Sequence, residues 1–468
     1  MGNCLTTQIK ASGQYSVENN SAQLLSVITE KDYIQYIKSK KPIKQEISIQ
    51  TDNEFQSIIP IEVNDNPKVP KILIHKSETV STQTIDQQQT ISLDIDQVTR
   101  SRRPDMLKLE KIVVLWKNVT SIDNLCRLFY KTGTNSLERV WLLYQWIINN
   151  SDESENIPNL FFLCCQKMNI QCKIVSGYIR SLDENKNSDP THHKWNSVFI
   201  EECWHLLDIV TEMFYEDSQN FYFLPSPDHL IFSHYPNEAK WQLLKTPLTY
   251  EQYLSLPRIS ASYFLLDMHL ISPIEGILNS NESITQVILS SPLSHTLQVF
   301  CCLQHDSDKY PDRHTFVNYD LDTHQFQFFV SPPMIGNYEF VIFARDSNET
   351  EEEDYQWIIK YHLNVIQMRT HCQTFPTVYP QFSKSHCALY EPLSEYVQKG
   401  ETIRIHMRIP NARRVRIDVE EQRIMMTSNE YKNDILSKTI TVTGNIRILA
   451  KFKDNADLLR PLCKFIAQ

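Results

Sequence analysis

The sequence predicts an α+β domain followed by two β-sandwiches, carried behind an N-terminal tail that orders little by itself. Three observations predict this arrangement. Five of the seven tryptophans fall between Trp141 and Trp241, beside the clearest helical periodicity in the chain. From about residue 259 onward, short alternating runs separated by turn residues replace that periodicity. From Lys44 to Arg103 the chain is rich in Gln, Ser, Thr, Asp and Ile, a composition in which little can offset the entropy of ordering. The divisions that follow are a tail over 1–104, an α+β domain over 105–258, and sandwiches over 259–370 and 371–468.

Composition excludes several functions. The 468 residues carry 46 Lys and Arg against 56 Asp and Glu, a formal net charge of −10. Without a dense basic stripe the chain is a poor nucleic-acid binder, because phosphate neutralisation dominates such affinity. The eight glycines fall singly, so no glycine-rich phosphate loop or dinucleotide fingerprint exists. The eleven cysteines are odd in number, irregularly spaced and without a Cys-x-x-Cys pair. They suggest neither a secreted disulfide framework nor a zinc site, so a reducing, cytoplasmic compartment is expected, with no cofactor and no metal. No run of about 18 apolar residues reads as a membrane span.

The tail begins Met1-Gly2-Asn3-Cys4-Leu5-Thr6, which fits N-myristoylation at Gly2. One such chain anchors marginally, so a second signal is needed. Palmitoylation of Cys4, or attraction of Lys38, Lys40, Lys41 and Lys44 to anionic lipid, would supply it. The alternative is a chance match in a solvated tail. Leu24, Leu25, Ile28, Tyr36 and Ile37 allow a short amphipathic helix over Ala22–Ser39, for docking or for membrane contact. The low-complexity run "STQTIDQQQTISLD" marks a disordered linker that ends at Arg100–Pro104.

In the α+β domain, Leu137, Val140, Trp141, Tyr144, Ile147 and Ile148 recur three and four apart, predicting a helix. Asn135 can cap it, with Glu138 three residues on. A second helix is expected near Pro158, a residue suited to a first turn, and to end around Asn169. Strands are expected over Cys172–Arg180, Trp195–Glu202 and Trp204–Thr211, the last two joined around Glu201-Glu202.

Three blocks now carry a resemblance: "LFFLCCQKMNIQCKIVSGYIR" at 160–180, "HKWNSVFIEECWHLLDIV" at 193–210 and "FYFLPSPDHLIFSHYPNEAKWQLL" at 221–244. Together they resemble the papain/transglutaminase-like core, and the third looks specifically like the kyphoscoliosis-peptidase branch. The resemblance implies a thiol triad in which cysteine attacks an acyl group, histidine takes its proton and aspartate orients the imidazole. His193 matches the histidine and Asp208 the aspartate, with His192 expected to point away because strand side chains alternate. The cysteine has no counterpart: its position falls at about Ser154, in a short acidic stretch. Cys164 and Cys165 lie roughly 11 Å further along the predicted helix, beyond the field at its start that would lower a thiol pKa. Ser154, flanked by Asp152, Glu153 and Glu155, gains nothing from that negative surrounding.

Beyond residue 259, strands are expected over Ser262–Ile271, Gln286–Leu289, Thr296–Leu303, Thr315–Tyr319, Gln325–Val330, Tyr338–Ala344 and Trp357–Val365. Seven strands at this spacing suit an immunoglobulin-like β-sandwich. A second such sandwich is expected after Phe375, where "ETIRIHMRI" and "ARRVRIDVE" alternate charged and aliphatic residues. Gly444-Asn445 reads as a hairpin turn.

Two functions from different classes follow. The first is a catalytically defective transglutaminase-like scaffold that binds proteins, its His193–Asp208 pair kept as a structural remnant. The resemblance adds cytoskeletal partners, and the tail adds attachment to the inner leaflet of the plasma membrane. The second is an active cysteine peptidase or acyl transferase using a displaced cysteine. A carbohydrate- or lipid-binding sandwich rests on fold analogy alone.

Overall fold

The computed structural model describes residues 104–468 except 118, 120, 152–155, 181–188, 216–217, 281–282, 295, 306–307, 311, 347–354, 368–371 and 454–457. The tail, with Gly2, Cys4 and the lysines from Lys38 to Lys44, lies outside the described residues, as does Ser154.

Four helices open the first domain: α1 Pro104–Val113, α2 Ile122–Thr132, α3 Ser136–Asn150 and α4 Ile157–Lys167. The expected cap on α3 forms: Asn135 Oδ1 accepts from the Glu138 amide at 2.9 Å, and the Glu138 carboxylate in turn takes the Thr134 amide. This helix is buried along nearly its whole length, from Leu137 to Ile147. Its periodic face is therefore not an amphipathic stripe but the centre of the domain. Trp141 and Tyr144 are fully buried against Phe223, with ring centroids 4.7 and 4.9 Å away. Each such side chain contributes about 1.5–3 kcal/mol through the apolar surface it removes from water.

The helices pack on a four-stranded sheet of order β3-β2-β1-β4. Its strands are β1 Cys172–Ile179, β2 Thr191–Ile200, β3 Cys203–Leu207 and β4 His234–Pro236. Glu201 and Glu202 form the expected β2–β3 turn, both at positive φ, 51° and 64°. The third strand is shorter than expected. It stops at Leu207 because Asp208 caps a helix, α5 Ile209–Phe214, so Asp208 sits just past a strand rather than within one. Two short helices, α6 Pro227–Leu230 and α7 Tyr250–Ser255, complete the domain.

Arg180, just past β1, fastens α7 and the segment after it to the sheet. Its guanidinium donates to the carbonyls of Leu256 and Tyr253 and lies over the Tyr253 ring. The chain then enters the first sandwich through β5 Arg258–Ile259, helix α8 Ala261–Leu265 and β6 His269–Ser272. This corrects the single strand expected over Ser262–Ile271. Tyr263 and Phe264 have strand-forming character, but they are packed as a helical turn, Tyr263 in the sandwich core and Phe264 against Phe221 and His229. Tertiary packing overrides a propensity worth a fraction of a kcal/mol.

The remaining strands of this sandwich are β7 Ile277–Ser280, β8 Thr285–Ser290, β9 Leu297–His305, β10 Asp308–Lys309, β11 Thr315–Asp320, β12 Gln325–Val330, β13 Gly336–Asp346 and β14 Gln356–Val365. One sheet runs β10-β9-β13-β14-β5 with β7 on β14, the other β11-β12-β8-β6. From Phe340 to Ala344, β13 is buried on both faces. The second sandwich comprises β15 Thr377–Val378, α9 Pro380–Lys384, β16 Ala388–Glu391, β17 Tyr396–Val397, β18 Thr402–Arg408, β19 Arg414–Val419, β20 Gln422–Met425, β21 Tyr431–Lys432, β22 Ile435–Thr441, β23 Ile446–Lys451 and β24 Arg460–Ala467. Its sheets run β15-β24-β23-β19-β20, with β17 on β24, and β16-β18-β22-β21. Gly444-Asn445 is thus not a hairpin turn. It carries the chain from β22 in one sheet to β23 in the other, a change that the flanking alternation alone does not distinguish. Among the described residues no helix is long and apolar enough to cross a membrane.

Candidate functional site

His193 and Asp208 meet because the β2–β3 hairpin folds them together. His193 lies on β2 opposite Gly177 of β1, and Asp208 follows the last residue of β3. His193 Nε2 is 2.6 Å from Asp208 Oδ2. His234 Nε2 approaches the same oxygen at 2.8 Å. His234 lies on β4 opposite Ile179, so both imidazoles project from the same face of the sheet on either side of β1. Gly177 makes the approach of β4 feasible: a Cβ there would strike the Tyr235 carbonyl, Pro236 and the Trp195 ring.

The carboxylate is held from other directions too. As N-cap of α5, Asp208 accepts the Thr211 amide at Oδ1, 3.2 Å away, and the Thr211 hydroxyl at Oδ2. Ser233 Oγ lies 2.7 Å from His234 Nδ1. With Nε2 donating to Asp208, Nδ1 is the acceptor of the Ser233 hydroxyl. Trp195 walls the group, its ring centroid 6.1 Å from that of His193 and 5.1 Å from that of His234.

Electrostatics follow from this packing. Burial opposes ionisation of Asp208, but His193 and His234 outweigh it and hold the carboxyl far below the usual range. Burial likewise opposes protonation of His193, yet the Asp208 carboxylate prevails and raises the imidazole above its ordinary value. At His234 burial prevails and lowers it. The arrangement is a carboxylate shared by one readily protonated imidazole and one neutral imidazole. Exposure differs in the same way: the side chain of His193 is 15% exposed, those of Asp208 and His234 1%.

The other candidates do not join this group. Among the described residues, no cysteine sulfur hydrogen-bonds to His193. Cys164 and Cys165 are fully buried on α4. The Cys126 thiol and burial push Cys164 well up, and burial with the Cys172 thiol does the same to Cys165. Both therefore stay protonated and inert. Cys203 is exposed, with Sγ 3.0 Å from His205 Nε2, but it sits at the far end of the β2–β3 hairpin. His192 turns aside and packs on Tyr178, ring centroids 4.5 Å apart. Beside the head of α4, Asn196 of β2 donates to the Pro158 carbonyl at 2.9 Å.

His234 is the site residue that sequence reading passes over. Its "SHYP" stands in the quoted blocks, but only the fold places a histidine 26 residues downstream onto Asp208. His193, Asp208 and His234 also bring three donor atoms of metal-ligating type within 4.8 Å of one another.

A family model described as the KY-like immunoglobulin-like domain matches residues 250–376, overlapping the first sandwich. Human kyphoscoliosis peptidase is 21% identical over 333 residues, covering 63% of this chain and 49% of that protein. Hillarin of Drosophila melanogaster is 22% identical over 362 residues, covering 69% of this chain and 42% of that protein. The LIM and transglutaminase domain protein ltd-1 of Caenorhabditis elegans is 22% identical over 141 residues, covering 25% of this chain and 19% of that protein. The matches span less than half the length of each of these relatives. The sequence blocks around His193 and Asp208, the KY-like sandwich and these relatives agree: the chain is similar to the kyphoscoliosis-peptidase-like proteins.

Proposed function

We propose that this chain is a catalytically retired transglutaminase-like protein that acts as a protein-binding scaffold. The observation that carries the reading is a base and its orienter to which no thiol among the described residues is bonded. His193 and Asp208 are bonded at 2.6 Å, and no thiol among the described residues bonds to His193. The family resemblance puts Ser154 at the place of the nucleophile. A serine hydroxyl is a far weaker nucleophile than a thiolate unless a base activates it, and its acidic neighbours oppose the charge that attack would develop. The two sandwiches supply broad surfaces for protein partners, for which the family suggests the cytoskeleton.

A thiol-reactive acyl probe tests this directly. The wild-type chain is expected to show no labelling that depends on His193. Ser154→Cys is expected to gain labelling, and Ser154→Cys with His193→Ala to lose it again. Labelling of the wild type that disappears in His193→Ala would overturn the reading in favour of a displaced thiol. Attachment of a cytoplasmic protein to the inner leaflet through Gly2 and Cys4 is part of the same proposal. Gly2→Ala is expected to move the chain from the membrane to the soluble fraction, and unchanged partitioning would remove the tether.

A further inference from the structure

We propose that His193, Asp208 and His234 bind one divalent transition-metal ion, with zinc as the representative. This goes beyond the scaffold reading and does not depend on it.

The argument begins with the ligand set. Two imidazole nitrogens and one carboxylate oxygen are the donors that borderline cations such as zinc prefer, and three protein ligands leave a position for water. The donor atoms lie within 4.8 Å of one another although they come from β2, the cap of α5 and β4. The spacings along the chain are 15 and 26 residues, which no local Cys or His motif would reveal.

The surrounding bonds orient the donors as an outer shell orients metal ligands. Ser233 Oγ engages His234 Nδ1 and leaves Nε2 as the nitrogen aimed at Asp208. The Thr211 amide and hydroxyl hold the carboxylate in place.

Without an ion, the Nε2 hydrogens of both rings close the gap by bonding to Asp208 Oδ2, at 2.6 and 2.8 Å. A tetrahedral zinc with bonds near 2.0–2.1 Å spaces its ligands at about 3.3 Å, so each nitrogen must withdraw by roughly half an ångström. Asp208 and His234 are the more tightly held, by burial and by their other bonds, so most of the adjustment falls to His193. His193 is the mobile member and, being 15% exposed, also marks the side from which the ion arrives. The ion then stands where two hydrogens stood, and each neutral ring carries its proton on Nδ1 instead, which at His234 makes the ring the donor to Ser233 Oγ.

The test uses the full chain, stripped with a chelator and titrated with zinc by calorimetry, then with cobalt(II) by visible absorption. Expected are one ion per chain, cobalt bands of a four-coordinate nitrogen–oxygen site, and quenching of Trp195 fluorescence by cobalt. His193→Gln with His234→Gln is expected to abolish binding. Ser233→Ala keeps all three ligands and is expected to weaken binding by about tenfold. Circular dichroism of each variant separates loss of the site from loss of the fold. Failure of the wild type to bind either ion, or equal binding by a folded double variant, overturns the proposal. The acyl-probe experiment is read without metal, so either proposal can fail alone.

Discussion

The side-chain amide of Asn318 closes both hydrogen bonds on the backbone of Leu389: Nδ2 donates to the carbonyl at 2.8 Å, and Oδ1 accepts the amide at 2.8 Å. Asn318 belongs to β11 of the first sandwich and Leu389 to β16 of the second. Beside this bond, Phe316 of the first sandwich is part of the second sandwich's core, with Phe375 at 5.7 Å and Phe382 at 5.9 Å between ring centroids. The two modules are therefore joined by shared core and buried polar contact rather than strung on a linker. Joined this way, the two modules hold their surfaces in one fixed relation.

Asn318→Leu tests that joint. It leaves a buried backbone N–H and C=O of Leu389 without partners, at a cost of about 1–3 kcal/mol for each group left unsatisfied. Calorimetry is expected to show the sandwiches melting closer to independently, with the second losing stability. An unchanged single transition would show that the aromatic contact alone joins them.

Asp208→Ala is expected to be worse for stability than for any surface property. It removes the acceptor for two imidazoles and a threonine hydroxyl at once. Breaking a buried ion pair by deleting one partner costs about 3–5 kcal/mol. The urea midpoint should fall accordingly, while Asp208→Asn, which keeps an acceptor oxygen and the volume, should lose less. Equal loss in both variants would mean that charge, not hydrogen-bond acceptance, is what the site requires.

Much of this geometry could be read from the sequence, and the unread parts share a physical cause. Asn135 and Glu138 gave the start of α3 because capping is local. His193 and Asp208 lie close enough in sequence for one hairpin to join them. His234 was invisible as a partner because only the pairing of β4 with β1 brings it back. The Ser262–Ile271 segment was misread because strand propensity is weak beside the packing of Tyr263 and Phe264. Gly444-Asn445 was misread because a turn between sheets and a turn within one have the same local chemistry.

Gly177→Ala probes the close approach of β4. The new Cβ would meet backbone atoms of Tyr235 and Pro236, which cannot swing aside as a flexible side-chain end can. Overpacking of this kind costs about 1–3 kcal/mol, and relief requires β4 to move outward. His234 would move with it. In the histidine NMR signals, the His234 resonance is expected to shift toward that of an imidazole without its carboxylate, while His193 shifts little. Coincident loss of both signals would indicate that β2 and β4 are not held separately.

His229 gives the clearest pH dependence. Its ring stacks on Phe264 with centroids 4.2 Å apart, where the first domain meets the first sandwich. Burial, with His269 adding to it and Asp267 opposing, lowers its pKa to about 4. An unfolded histidine titrates near 6.5. Between those values the unfolded chain binds a proton that the folded chain refuses, so stability rises with pH across the window and falls as acid is added. The full effect is on the order of 3 kcal/mol, from about 1.4 kcal/mol per pKa unit. Urea midpoints from pH 7 down to pH 4 should therefore decline, and His229→Gln should flatten that part of the curve by one proton. If the variant and the wild type decline in parallel, the acid sensitivity belongs to the carboxylates, and the stacked ring at this junction plays no part in it.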